Sequence, residues 1–226
     1  MKLISALAVW LILPVFLCGG ECRDEMFDKT NNMLQERKSA AGLRLEKEKI
    51  LNSLKSREAG SFWDIAARNS REKMLLRRNR LSMEISSLQD KENALSALIA
   101  GTSLSLSAGA SKCASDPEFG GLYTEVMSVS VSLLMSKGFL SHKEAEQALA
   151  AAEGREFLKY RAEIQSNRIE EVSEAIEGLK TAKKAFMEAD MAVPAAVIEG
   201  LIGELNIYLK NLYDSNNRIK ELLKTK

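Results

Sequence analysis

Apolar residues recur along most of this chain in alternating steps of three and four, the spacing of one face of an α-helix. The clearest early run is Met74, Arg78, Leu81, Ile85, Leu88, Glu92, Leu95 and Ile99, apolar at six of eight positions. Two later runs repeat the rhythm. One is Leu158, Ala162, Gln165, Ile169, Val172, Ile176, Leu179, Lys183 and Phe186; the other is Leu201, Leu205, Tyr208, Leu212, Ser215, Ile219 and Leu222. These are coiled-coil seams with polar interruptions, and Arg78, Glu92 and Lys183 are interruptions of the kind that set register or partner choice. A looser stripe (Phe27, Leu34, Leu43, Ile50, Leu54) runs through residues 23–59, which hold no proline.

Helix punctuation divides the runs. Gly60 suits a helix end, and Ser61 with Asp64 resembles a capping pair, so one helix stops near Ala59 and the next starts at Phe62. Residues 101–121 are small and polar, with Asp116-Pro117 and Gly120-Gly121 as turn signals; they read as a loop with a brief extended piece at Leu104–Leu106. Residues 122–137, uncharged from Val126 to Ser136, read as a short apolar helix in preference to a strand, which the Ser-Val alternation would also suit. Ser141-His142-Lys143-Glu144 is a capping box, from which one long helix is predicted to run to about Ala192. Pro194 fits the first turn of a last helix. The expected fold class is all-α: an elongated antiparallel bundle of two long coiled-coil hairpins, with a short apolar helix and a central loop. The predicted divisions are 1–20, an N-terminal address; 21–100, the first hairpin; 101–141, loop and short helix; and 142–226, the second hairpin.

The address is a positive Lys2, an apolar run and the small residues Cys18-Gly19-Gly20, the pattern of a secretory signal peptide. A bacterial lipoprotein reading makes Cys18 the lipidated residue. The uncharged run of 18 residues also allows an uncleaved anchor. The expected location is secreted or periplasmic, with tethering through Cys18 as the alternative. Export turns Cys22 and Cys113 into a disulfide candidate. If the second helix runs back along the first, that bond staples the open end of the hairpin.

Net charge is +1, so the whole molecule has no charge bias towards nucleic acid. The charge is unevenly spread. Residues 44–80 hold 11 basic and 5 acidic side chains, and residues 142–190 hold 8 and 11. Phe62 and Trp63 lie at the predicted turn, with Arg68, Arg71, Lys73, Arg77, Arg78 and Arg80 behind them. Together they form a candidate contact tip for an anionic membrane, a wall polymer or an acidic protein. The plainer alternative is that the aromatics pack across the turn and the charges are solvated. In that case the acidic helix could lie against the basic one inside the molecule.

The chain has one histidine, His142, and no glycine-rich phosphate loop, Gly-X-Ser-X-Gly, His-Glu-X-X-His or Cys-X-X-Cys. No catalytic, cofactor or metal residue is therefore assigned. The expected function is non-catalytic: a structural or protein-interaction component of the cell envelope or secreted space, self-association included. In its general plan of signal peptide, long helices and intervening insert, the chain resembles minor pilins of conjugative secretion systems, without a residue-by-residue motif. A holdase chaperone is a further alternative. So is a pore-forming protein, inserting through residues 93–111 and 126–135.

Overall fold

A computed structural model describes residues 22, 25–60, 68–151 and 153–224, with the backbone alone at 57–60, 68–71 and 142. Seven helices, and no strand, occur among the described residues. They are α1 (Glu25–Gly60), α2 (Arg68–Gly101), α3 (Ser103–Cys113), α4 (Pro117–Ser136), α5 (His142–Leu149), α6 (Gly154–Glu188) and α7 (Ala192–Lys224). The all-α architecture and the two long hairpins, α1–α2 and α6–α7, are as the seams predict. Each long helix spans about 50 Å at ~1.5 Å per residue.

The predicted loop at 101–121 is instead helical. Leu106 and Ala110 are spaced by four and both buried, and half-buried Cys113 continues their face. α3 leaves α2 at a bend of 48°. At the bend the Thr102 hydroxyl donates to the Ile99 carbonyl and that of Ser103 to the Ala100 carbonyl, both at 2.7 Å. Hydroxyls bonded back onto the preceding turn bend helices. The Leu104–Leu106 piece therefore lies within a helix, because alternate serines here serve the bend and the solvent face. Asp116-Pro117 does close a turn, between α3 and α4, where the Asp116 N–H donates to the Cys113 carbonyl at 3.0 Å, whereas Gly120-Gly121, the other predicted turn signal, lies inside α4. Asp116 is the N-cap of α4, accepting from the backbone N–H groups of Glu118 and Phe119, and Pro117 takes the first helical turn.

The single long helix expected from 142 is also corrected. Ser141 and Glu144 do form the capping box, but α5 ends at Leu149 and α6 begins at Gly154. Gly154 makes the break: a Cβ there would stand 1.7 Å from the Ala148 carbonyl oxygen. Folded back in this way, α5 puts Ala145 against Leu158, Ala162 and Ile219, and closes the far end of the α6–α7 hairpin.

α4 joins the hairpins. It packs on α1 and α2 on one side and on α7 on the other, while α3 lies on α6. Its Phe119, Leu122, Tyr123, Val126, Met127, Val129 and Val131 are buried. Tyr123 and Phe186, both fully buried, hold their rings 5.4 Å apart, and Phe119 stacks on each. Burial pushes the Tyr123 phenol above its usual range, despite a long hydrogen bond with Ser107. Gly120 lets α4 approach the α6–α7 turn closely; a Cβ there would lie 2.9 Å from the Pro194 ring. Cys22 and Cys113 form a disulfide, Cα to Cα 5.5 Å, which ties residue 22, just ahead of α1, to the end of α3. Its closed span of 91 residues corresponds to about 4 to 5 kcal/mol in the chain-entropy account.

Two outcomes follow for stability. Phe186→Ala empties the centre of the aromatic cluster and is expected to cost about 3–5 kcal/mol in urea unfolding. Gly154→Ala cannot keep the α5–α6 break. Hydrogen exchange is expected to show α5 amides losing protection while the centre of α4 keeps its own; unchanged α5 protection would contradict this account.

Candidate interaction surfaces

Glu92, Gln165, Lys183 and Ser215, which interrupt the apolar seams, bond across the hairpins rather than waiting for a partner. Glu92 accepts from Arg44 at 3.0 Å and lies 3.7 Å from Arg37, whose Nε donates to Ser96 at 2.8 Å. Hydrogen bonds to Glu48 and then Glu92 hold the Arg44 guanidinium above its ordinary pKa. In the second hairpin, Gln165 donates to Ser215 at 3.1 Å, and Lys183 pairs with Glu199. From the first pair to the second, α6 advances 18 residues (183 minus 165) and α7 retreats 16 (215 minus 199). That near-equal exchange is the register of an antiparallel hairpin. Arg78 is half-buried at its seam position.

Buried polar groups also fasten the chain leaving α4. The Lys137 carbonyl accepts from Tyr208 at 2.6 Å and from Arg168 at 3.0 Å, and Arg168 also reaches the Gly138 carbonyl. Ser215 donates to the Leu140 carbonyl at 2.7 Å. The unpaired carbonyls of a helix C-terminus are thus met by two helices of the other hairpin. Beside this joint lies a shallow cavity of about 200 Å³, lined by Phe139, Asn211, Asp214 and Arg218 among others. Among the described residues, no three His, Cys, Asp or Glu side chains gather as a metal site.

Of the predicted contact tip, Phe62 and Trp63 lie outside the described residues, as does the candidate lipidation residue Cys18. Arg68 and Arg71 stand in the first turn of α2. Lys73, Arg77 and Arg80 are exposed and share one face of α2, being spaced by four and three. Exposed Leu76 and Met83 flank them. Arg80 donates to Glu84, which also accepts from Lys47 of α1 at 2.6 Å.

The acidic helix does not cover that face. α6 packs on α3, α5 and α7, and its outward side carries exposed Glu163, Glu170, Glu174 and Glu177. This opposite charge was visible in the segment sums. Its collection on one side of α6 could have been found from the spacing of seven, four and three. Residues 93–111, uncharged throughout, divide between core and solvent: Leu95, Ile99 and Leu106 are buried, Leu98 and Leu104 exposed.

The Glu84 contacts make stability depend on pH. Hydrogen bonds from Lys47 and Arg80 hold its carboxyl below the ordinary value of 4.5. A depressed folded pKa stabilises the fold above the unfolded value, and that contribution fades as pH falls through the folded one. Glu84→Gln is therefore expected to melt slightly below the wild type at neutral pH, with the gap closing under acid. A gap that widens below pH 4.5 would contradict the sign.

Set beside known proteins, the chain matches no family model, no curated protein and no solved structure.

Proposed function

We propose that this is an exported, non-catalytic helical-bundle protein of the cell envelope or secreted space, acting by presenting long helical faces to protein partners. The observation that carries the reading is the division of labour among polar groups. The inward ones, Glu92, Gln165, Ser215 and Tyr208, are engaged in joining helices. The outward ones form coherent charged faces about 10 Å or more in length on α2 and α6. Charged faces of this kind steer and select protein partners.

The Cys22–Cys113 bond supports an oxidising compartment, where such bonds persist. The alternative of a pore is less well supported. Its second inserting stretch, 126–135, belongs to α4, whose Val126, Met127, Val129 and Val131 already form the joint between the hairpins. α7 is long and apolar enough by composition to cross a membrane, yet Leu201, Leu205, Tyr208 and Leu212 are spent on the core.

The test is made in the protein's own host, with a photo-reactive residue placed at Arg77 or Glu174 and the cells fractionated after irradiation. The expected result is protein in the exported fraction, thiols unreactive until reduced, and adducts of discrete mass from these positions. Cytosolic protein with free thiols, or no adduct from either face, would overturn the proposal.

A further inference from the structure

We infer that the two charged faces are halves of one interface, by which Lys73, Arg77 and Arg80 of one copy dock on Glu170, Glu174 and Glu177 of a second copy. The inference rests on the reading that the protein works through its helical faces, and it names the partner as the chain itself. The first support is spacing. Each trio occupies positions i, i+4 and i+7 of a long helix, so each spans about 10 Å along one side at ~1.5 Å per residue. Two helices laid side by side can bring all three pairs together in one contact.

The second support is purity of charge. From 73 to 83, α2 carries no acidic residue. From 162 to 179, α6 carries one basic residue, Arg168, and its guanidinium is turned to the carbonyls of Lys137 and Gly138. Over that span the face outside carries no other basic residue of α6, though Lys137, just past α4, lies 4.0 Å from Glu171 at its edge, and Glu163 extends it by two turns, across Asn167. The third support is that, among the described residues, neither face is covered by its own molecule. α2 packs on α1, α3 and α4, and α6 on α3, α5 and α7. The internal pairs that touch these trios, Arg80 with Glu84 and Glu177 with Lys180, are neighbours on one helix surface. Such pairs are weak and readily exchanged. Leu76 and Met83, 63% and 67% exposed, border the basic trio and supply apolar area to bury.

Each copy offers one basic and one acidic face, and the two differ. The contact is therefore heterologous and builds rings or filaments rather than a twofold dimer. Its strength is electrostatic and falls with salt.

Sedimentation of the disulfide-bonded protein tests this with two charge-reversed variants, K73E/R77E/R80E and E170K/E174K/E177K. All six positions are exposed, so helicity by circular dichroism is expected to be kept. At about 0.01 M salt, where screening reaches ~30 Å, the wild type is expected to reach twice the monomer mass or more as concentration rises. At about 1 M salt, where screening falls to ~3 Å, it is expected to return to monomer. Each variant alone stays monomeric, because both of its faces then carry one sign. An equal mixture of the two associates again. A wild type that stays monomeric at low salt, with or without binding to anionic vesicles, overturns the inference. So does association that survives in either variant, or a mixture that stays monomeric.

A second measurement needs no variant. Carbodiimide joins lysine to carboxylate at zero length, and is applied to an equal mixture of ¹⁴N and ¹⁵N protein. Peptides linking Lys73 to residues 170–177 with mixed isotopes are expected; their absence overturns the inference. Adducts to a different protein in the host, with the purified chain monomeric at low salt, would defeat self-docking and leave the broader reading intact.

Discussion

The structure depends on the burial of α4 between two helical hairpins. A hairpin of two helices is too thin to cover its own apolar stripe, because each helix shields only one side of the other. α4 removes that difficulty for both. It brings a helix that is apolar on several sides, and both α1–α2 and α7 pack on it. The Phe119, Tyr123 and Phe186 rings lie where this helix meets the α6–α7 turn. The contact requires Gly120 at the point of closest approach. Beyond the reach of α4 the first hairpin is, among the described residues, a simple pair, and its seam residues Ile85 and Leu88 are only half-buried. Ion pairs such as Lys47 with Glu84 border that pair.

Polar groups then decide what apolar packing leaves open. Leucine stripes tolerate sliding by a turn, whereas a partly buried carboxylate does not. Glu92 set against Arg44 and Arg37 stabilises one register of the first hairpin, since any other leaves a charge short of partners. Gln165 and Ser215 do the same for the second at lower cost, being neutral. The same serine holds the Leu140 carbonyl, so the register of α6 on α7 and the path of the chain between α4 and α5 are coupled.

What could be read from the sequence follows this division. The four long helices were legible because their seams run for many turns, and a long periodic signal outweighs local irregularity. The disulfide was legible because antiparallel hairpins return their ends to one place. α3 was obscured because Ser-Leu alternation imitates a strand; its helical face is only Leu106, Ala110 and Cys113, too short to establish a period. The α5–α6 break was obscured because Ala150 and Ala151 are good helix formers, and the constraint lies in Gly154 meeting a carbonyl oxygen. Such a contact is three-dimensional and leaves one glycine as its trace. The register roles of Glu92 and Lys183 were half legible: their type was clear, but whether the partner lay in the same molecule was not.

That last ambiguity applies to the charged faces as well, and here the architecture resolves it differently. Opposite charges on one chain can neutralise each other only if the fold brings their helices together. α4 and α3 lie between the hairpins, and the Cys22–Cys113 bond ties α3 to the residue just ahead of α1. With α2 and α6 each given other neighbours, the basic trio and the acidic row stay in solvent. The packing that makes the core therefore also keeps complementary charges apart within one molecule. The Tyr123–Phe186 contact, which helps to fix this arrangement, is fully buried. Burial of rings of that size is worth more than exposed ion pairs. The charges thus remain available at the surface because the core holds their helices apart.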